Sequence, residues 1–172
     1  MTHLSINQKQ ELIDIYNTFL NDSHILKMKE IPMHRGSNCY IHSFKVAKLS
    51  IKRALKRKGY NLKALLIASI LHDYYLYDWR KEKECKKRHG RKHPYIAVEN
   101  AKRDFKISEE IENIMRSHMW PLTIKDFPKS KEAKMLNYID DVVATREFLT
   151  SKNYKKKREE KYLKYISNLF DE

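Results

Sequence analysis

The sequence contains little glycine, proline and cysteine, with only 3, 4 and 2 of these residues in 172. Because glycine and proline are the usual residues of turns, and long runs of the chain show helical spacing, we expect an all-α protein. The two cysteines, Cys39 and Cys85, are too few for a disulfide framework and lack the spacing of a metal site. We therefore expect a reduced, cytoplasmic protein.

Long apolar runs are also missing. No segment reaches the ~18 apolar residues that a membrane span requires, and the N-terminal residues lack the apolar core of a signal peptide. This pattern predicts a soluble protein with no membrane partner. A chain of 172 residues is long enough to bury a substantial core and is most simply one domain, 1–172.

Acidic residues are outnumbered by basic ones. Lys and Arg together count 36 and Asp and Glu 22, so the formal net charge is +14. A strongly basic surface favours polyanions such as nucleic acid, nucleotides or anionic lipid. A solvated basic surface without a dedicated partner explains the same composition equally well.

The spacing of apolar residues predicts a series of amphipathic helices. We expect Pro94 to occupy the first position of its helix, where its missing N–H does no harm, and Ser108 to cap the next one. Residues 21–36 are predicted to form a connection with a short helix, and residues 79–92 an exposed basic loop or short helix. The predicted helices cover residues 6–20, about 38–58, 62–77, a segment from 93, a segment from 108, about 131–150, and a basic amphipathic tail from 151.

The central feature is the stretch 64–78, in which ten almost uninterrupted apolar residues lead into His72 and Asp73. A helix that is apolar on every side is a buried helix. An imidazole and a carboxylate buried side by side are costly unless they are paired or bind a metal. We therefore expect this pair to have partners elsewhere in the chain.

Those partners are predicted to be histidines and one aspartate on other helices. Asp140 is favoured over Asp141 because it shares an apolar stripe with Leu136 and Val143. His34 and His89 remain alternatives to His93, and any single histidine could instead be a satisfied core residue. Imidazole and carboxylate ligands suit one or two divalent ions such as Mn, Fe, Co, Ni or Zn, and the lack of thiolates argues against structural zinc. The predicted metal ligands are His42, His72, Asp73, His93, His118 and Asp140.

The order His42, His72-Asp73, Asp140 resembles the HD superfamily of metal-dependent phosphohydrolases over roughly residues 34–150. The segments 72–79, 93–94, 99–101 and 118–123 are similar to an uncharacterised bacterial HD subgroup, and 140–146 to hydrolases of diadenosine tetraphosphate. The resemblance implies a single compact multi-helix HD-type domain, with the N-terminal helix and the basic C-terminal helix packed on a core of about 34–150. It also implies two metals bridged by Asp73.

The function implied by this resemblance is hydrolysis of a phosphoester or phosphoanhydride by a metal-activated hydroxide, and the expected substrate is a nucleotide. Asp73, Arg35 and Lys45 are the predicted catalytic residues. The competing hypothesis is a basic nucleic-acid- or nucleotide-binding module that keeps the HD fold with an inactive or structural metal site. The side chains predicted to bind the small phosphorylated substrate are Arg80, Arg88, Lys92, Trp79, Trp120 and Arg146.

Overall fold

The computed structural model describes residues 4–33, 37–81, 88–150, 163 and 166–170. Within these residues the chain forms seven α-helices and no β-strand, which confirms the all-α prediction. Short 3-10 helices cover Lys27–Glu30, Ser117–Met119 and Ser167–Leu169. The α-helices are α1 (Ile6–Asn21), α2 (Ser23–Leu26), α3 (Cys39–Leu55), α4 (Leu62–Leu71), α5 (His89–Phe105), α6 (Glu109–Arg116) and α7 (Lys131–Thr150).

Helix α4 lies at the centre of the fold. Its sequence is apolar on all sides, and eight of its residues are buried, as expected for a helix surrounded by others. It packs against α1, α3, α5, α6 and α7. Helices α3 and α7 also pack against each other, so the C-terminal end of α4 lies where residues of both can meet it.

Side-chain caps fix where several helices begin. Ser5 and Gln8 form a reciprocal capping box at α1, and the Asn38 side chain accepts a hydrogen bond from the Ile41 amide at 2.9 Å. The Asn38 cap sets the start of α3 one turn before His42. This cap therefore contributes to placing a predicted ligand.

The predicted helix over 62–77 is too long, because α4 ends at Leu71. His72 occupies the C-cap position, and its Nδ1–H donates to the Ser69 carbonyl at 2.8 Å. This bond satisfies one of the carbonyl groups that a helix leaves free at its end. Leu76, four residues later, has a positive φ of 56°, which no helix accommodates.

The helix predicted to start at Pro94 begins earlier, at His89. A proline inside a helix removes the N–H that would bond to the carbonyl four residues before it, here Gly90. Because Pro94 lies only five residues after the start of α5, few intrahelical hydrogen bonds come before the missing one. His93 therefore lies within the helix and not at its first residue.

The described part of the C-terminal tail packs on the domain. Leu163 and Ile166 are buried, and the Tyr16 hydroxyl donates to the Leu163 carbonyl at 2.8 Å. Most of the tail helix predicted from Ser151 lies outside the described residues, and the assignment of 1–172 to one domain stays a prediction. Among the described helices, none combines the length and the apolar character needed to cross a membrane.

Candidate metal centre

The four histidines and two aspartates predicted as ligands lie together in the structure. They come from the N-terminal part of α3, the end of α4, the first turns of α5, the 3-10 helix after α6, and the middle of α7. Every one is at least nine-tenths buried. The relative exposures are 0% for His42 and His72, 4% for Asp73 and His93, 2% for His118 and 9% for Asp140.

The six side chains form two groups, each compact enough to hold an ion. In the first group, His42, His72 and Asp140 offer ligand atoms that lie within 4.8 Å of one another. Asp140 Oδ1 lies 2.8 Å from His42 Nε2 and 3.5 Å from His72 Nε2. Asp141 is exposed, so the geometry favours Asp140 of the two neighbouring carboxylates.

The second group contains Asp73, His93 and His118, again with ligand atoms within 4.8 Å of one another. Asp73 Oδ1 lies 3.2 Å from His93 Nε2 and 3.8 Å from His118 Nε2. Its other oxygen, Oδ2, lies 3.4 Å from His72 Nε2. Asp73 thus points one oxygen towards each group, which is the arrangement of a carboxylate shared between two sites.

All four imidazole rings present Nε2 to the centre because Nδ1 is engaged elsewhere. His72, His93 and His118 donate from Nδ1 to backbone carbonyls of their own helical turns, at 2.8, 3.1 and 2.7 Å. His42 donates from Nδ1 to the Glu147 carboxylate at 3.0 Å. Such outer partners fix the tautomer and aim the Nε2 lone pair, as they do for metal-bound histidines in general.

The inner nitrogens are arranged in a way that requires a positive charge. A neutral imidazole carries one N–H, so with both Nδ1 atoms protonated the Nε2 lone pairs of His93 and His118 face each other at 2.8 Å. The buried Nε2 of His72 has no hydrogen-bond partner in the structure. Either extra protons or metal ions can satisfy these atoms, and nitrogen and oxygen donors of this kind suit first-row divalent ions.

The acid–base properties of the site also favour a cation. Burial alone would lower the pKa of His42, but hydrogen bonds and charges of Asp140 and Glu147 raise it to about 10. Burial would raise the pKa of Asp140, but the hydrogen bonds and charges of His42 and His72 hold it well below its usual range. Burial, with the charges of His93 and His72, lowers the pKa of His118 to about 3. The centre therefore combines ionised carboxylates with at least one neutral imidazole, the forms that ligate metals.

Glu147 is a functional candidate that the sequence prediction missed. Its carboxylate is 4% exposed, and it contacts His42 from the side opposite the metal-facing nitrogen. Burial would raise its pKa, but His42 and Lys45 lower it to about 2. Its position was available from the sequence, because a residue seven after Asp140 lies on the same face of a helix.

Of the two predicted catalytic cations, Lys45 and Arg35, the structure describes only Lys45. Lys45 lies one turn after His42, and its ammonium pairs with Glu147 at 2.9 Å, with 16% of its side chain exposed. It is therefore held behind the first group by a carboxylate. Arg35 and the alternative ligand His34 lie outside the described residues, so their roles stay predictions.

An aromatic stack leads from the surface to the second group. Trp79 stacks on His89 with ring centroids 5.1 Å apart, and His89 stacks on His93 at 4.7 Å. The Arg80 guanidinium lies over Trp79 and donates to the Met33 carbonyl. His89, the other alternative ligand, thus lies behind His93 and outside both ligand groups.

The remaining predicted substrate-binding residues lie on the surface. Arg88 precedes α5 directly, and Lys92 is in its first turns, both exposed. Arg146 is exposed on α7. Trp120 is half-buried, packs edge-on against Phe127 at 5.4 Å, and follows the 3-10 helix that carries His118. Their predicted contacts with a substrate stay predictions.

Comparisons with known proteins point to one family. A sequence model of the HD domain matches residues 39–162, a span that contains all six predicted ligands. Neither the curated proteins nor the solved structures compared with this chain gave a match.

Proposed function

Because this chain belongs to the HD domain family, we propose that it is a metal-dependent hydrolase of a phosphoester or phosphoanhydride. The observation that supports this most directly is the fixed orientation of four buried imidazoles. Each donates from Nδ1 to an oxygen outside the centre, and each turns Nε2 towards the buried carboxylates Asp73 and Asp140. Histidines that serve only to fill a core would not be expected to point four Nε2 atoms at the same two carboxylates.

Two ions would be held by the two groups of side chains. His42, His72 and Asp140 would hold one, His93 and His118 the other, and Asp73 would offer an oxygen to each. The chemistry that divalent ions supply in such sites is to make hydroxide available near neutral pH and to polarise a phosphoryl oxygen. Asp73 is also placed to accept a hydrogen bond from an attacking nucleophile, and so to orient it.

We propose that the substrate is a nucleotide. Trp79 is half-buried at the outer end of the stack that leads through His89 to the second group. A base would stack on its ring in place of the Arg80 guanidinium that now lies over it. Arg80 lies next to it, and Arg88 and Lys92 add positive charge along the start of α5. Such cations would favour a polyphosphate, whose negative charge they offset.

The experiment that tests the proposal measures metal content and hydrolysis on the same protein. Wild-type protein purified without a chelator or a metal-affinity column is analysed for transition metals and assayed with bis(p-nitrophenyl) phosphate, nucleotides and dinucleoside polyphosphates. We expect up to two equivalents of metal, and Asp73→Asn should lose both metal and hydrolysis. Asp141→Asn is the matched control, because Asp141 is an exposed aspartate beside a predicted ligand.

A protein that takes up no divalent metal even after reconstitution would contradict the proposal. Metal binding without hydrolysis of any phosphate ester or anhydride would leave the ligand assignment intact and refute the enzymatic one. Equal losses in Asp73→Asn and Asp141→Asn would indicate damage to the fold instead of loss of a ligand.

A second candidate function is supported by the net charge of +14. In that case the chain would be a polyanion-binding module with an inactive or structural metal site. Binding of a single-stranded oligonucleotide would then weaken steeply as salt rises, because counterions are released on association. It would also be the same in wild type and Asp73→Asn, whereas the hydrolase proposal requires the two proteins to differ in turnover.

A further inference from the structure

Three of the four inward histidines are oriented by their own helices, and one is not. His72, His93 and His118 donate to carbonyls three or four residues earlier in the chain. His42 instead donates to a side chain 105 residues away, the carboxylate of Glu147 on α7. The orientation of His42 therefore depends on how α3 and α7 are packed.

Glu147 is itself held at both of its oxygens. Oε2 accepts from His42, while Oε1 accepts from the Lys45 ammonium at 2.9 Å and the Ser37 hydroxyl at 3.2 Å. A buried carboxylate with three donors is fixed in one rotamer and stays ionised. Glu147 is thus a rigid and negatively charged support behind the His42 ring.

Glu147 also shares its helix with a ligand. It lies seven residues after Asp140, two helical turns or about 10 Å along α7. Asp140 lies 2.8 Å from Nε2 of His42, and Glu147 lies 3.0 Å from Nδ1 of the same ring. Helix α7 therefore contacts both nitrogens of the His42 ring. Any shift of α7 along its axis would move the two contacts together.

We propose that Glu147 is a positioning residue that sets the metal affinity of the group formed by His42, His72 and Asp140. The inference rests on the proposed metal binding, but not on hydrolysis. A carboxylate that accepts the Nδ1–H makes the imidazole a more basic ligand and holds its plane, and loss of such a partner typically weakens metal binding about 10- to 100-fold. Among the described residues, Asp73, His93 and His118 form no hydrogen bond or ion pair with Glu147, whose partners are Ser37, His42 and Lys45.

The test is Co²⁺ titration of chelator-treated protein, followed by calorimetry and by the visible absorption of the bound ion. Glu147→Gln keeps the shape of the side chain and removes its charge. Glu132→Gln is the matched control, because Glu132 is a buried carboxylate on the same helix that accepts from the Asn61 amide at 2.7 Å. Asp140→Asn identifies the binding event that belongs to the first group.

We expect Glu147→Gln to weaken the binding event that Asp140→Asn identifies, by roughly 10- to 100-fold, and to alter the absorption band of the bound ion. The other event and the Glu132→Gln protein should match wild type. Unchanged binding in Glu147→Gln, an equal loss at both events, or the same loss in Glu132→Gln would overturn the inference. If wild type binds no Co²⁺, the proposed function fails as well, whereas wild-type binding with an unaffected Glu147→Gln refutes only the positioning role.

A second variant tests the same inference if Glu147→Gln does not fold. Glu147→Asp keeps the negative charge beside Lys45 and shortens the side chain by one methylene, which draws the carboxylate back from His42 Nδ1. Its Co²⁺ affinity at the first group should therefore fall, while the other event stays as in wild type. Wild-type affinity in Glu147→Asp would contradict the inference even if Glu147→Gln cannot be purified.

Discussion

Asp140 and Asp141 are adjacent aspartates with different environments, and they allow the ligand assignment to be tested with one matched pair of substitutions. Asp140 is 9% exposed and 2.8 Å from His42 Nε2, whereas Asp141 is exposed to solvent. Asp140→Asn keeps the volume of the side chain and removes a charged ligand. Asp141→Asn makes the same chemical change one residue away.

The expected size of the effect follows from mass action. An ion present at 100 times its dissociation constant stabilises the folded protein by about 2.7 kcal/mol. If Asp140→Asn weakens binding about 100-fold, the same ion concentration contributes only about 0.4 kcal/mol. The difference of about 2.3 kcal/mol corresponds to roughly 5–9 °C in Tm, because 1 kcal/mol shifts a protein of this size by about 2–4 °C.

The assay is thermal unfolding of each protein with chelator and with Mn²⁺, and the readout is the metal-dependent shift in Tm. Subtracting the metal-free Tm removes any effect of the substitution on the empty domain. We expect wild type and Asp141→Asn to share one shift and Asp140→Asn to show a shift that is smaller by roughly 5–9 °C. A normal shift in Asp140→Asn, or a loss confined to Asp141→Asn, would refute the assignment of Asp140 as a ligand.

Three other substitutions follow from contacts in the structure. Trp79→Leu should raise KM for nucleotides by roughly 5- to 150-fold, while KM for bis(p-nitrophenyl) phosphate changes less; equal changes would argue against base stacking on Trp79. Asn137→Ala removes two 2.7 Å donations to the backbone beside His118, so the free energy of unfolding in urea should fall by about 1–3 kcal/mol, and an unchanged value would contradict that role. Gly59→Ala places a side chain at a φ of +84°, so the free energy of unfolding should fall by about 1 kcal/mol. An unchanged free energy of unfolding in a urea titration would mean that the turn relaxes.

The helical fold and the residues that meet in the candidate metal centre could be predicted from the sequence, because both depend on local patterns. Apolar spacing located the helix over 131–150, which the structure places at Lys131–Thr150. The same spacing placed Asp140 on the inward face. The buried stretch before His72 marked the helix around which the others pack.

What the sequence could not predict depends on side-chain hydrogen bonds. The end of α4 at Leu71 follows from a bond between His72 and Ser69, and periodicity does not reveal such a bond. The early start of α5 depends on a helix accepting Pro94 inside its first turns. Helical spacing places Glu147 on the face of Asp140, but only the packing of α7 against α3 shows that its carboxylate is buried against His42.

The pairing of His42 with Asp140 joins two points of the chain that are 98 residues apart. An ion held by both would join these points in the folded protein and leave them free in the unfolded chain, whereas a disulfide persists in both states. Its contribution to the free energy of unfolding is therefore set by metal concentration, and increases by about 1.4 kcal/mol for each tenfold rise above the dissociation constant. A domain with only two cysteines could thus gain from a bound ion the stability that other small proteins obtain from disulfides, and its folding would then depend on the supply of metal.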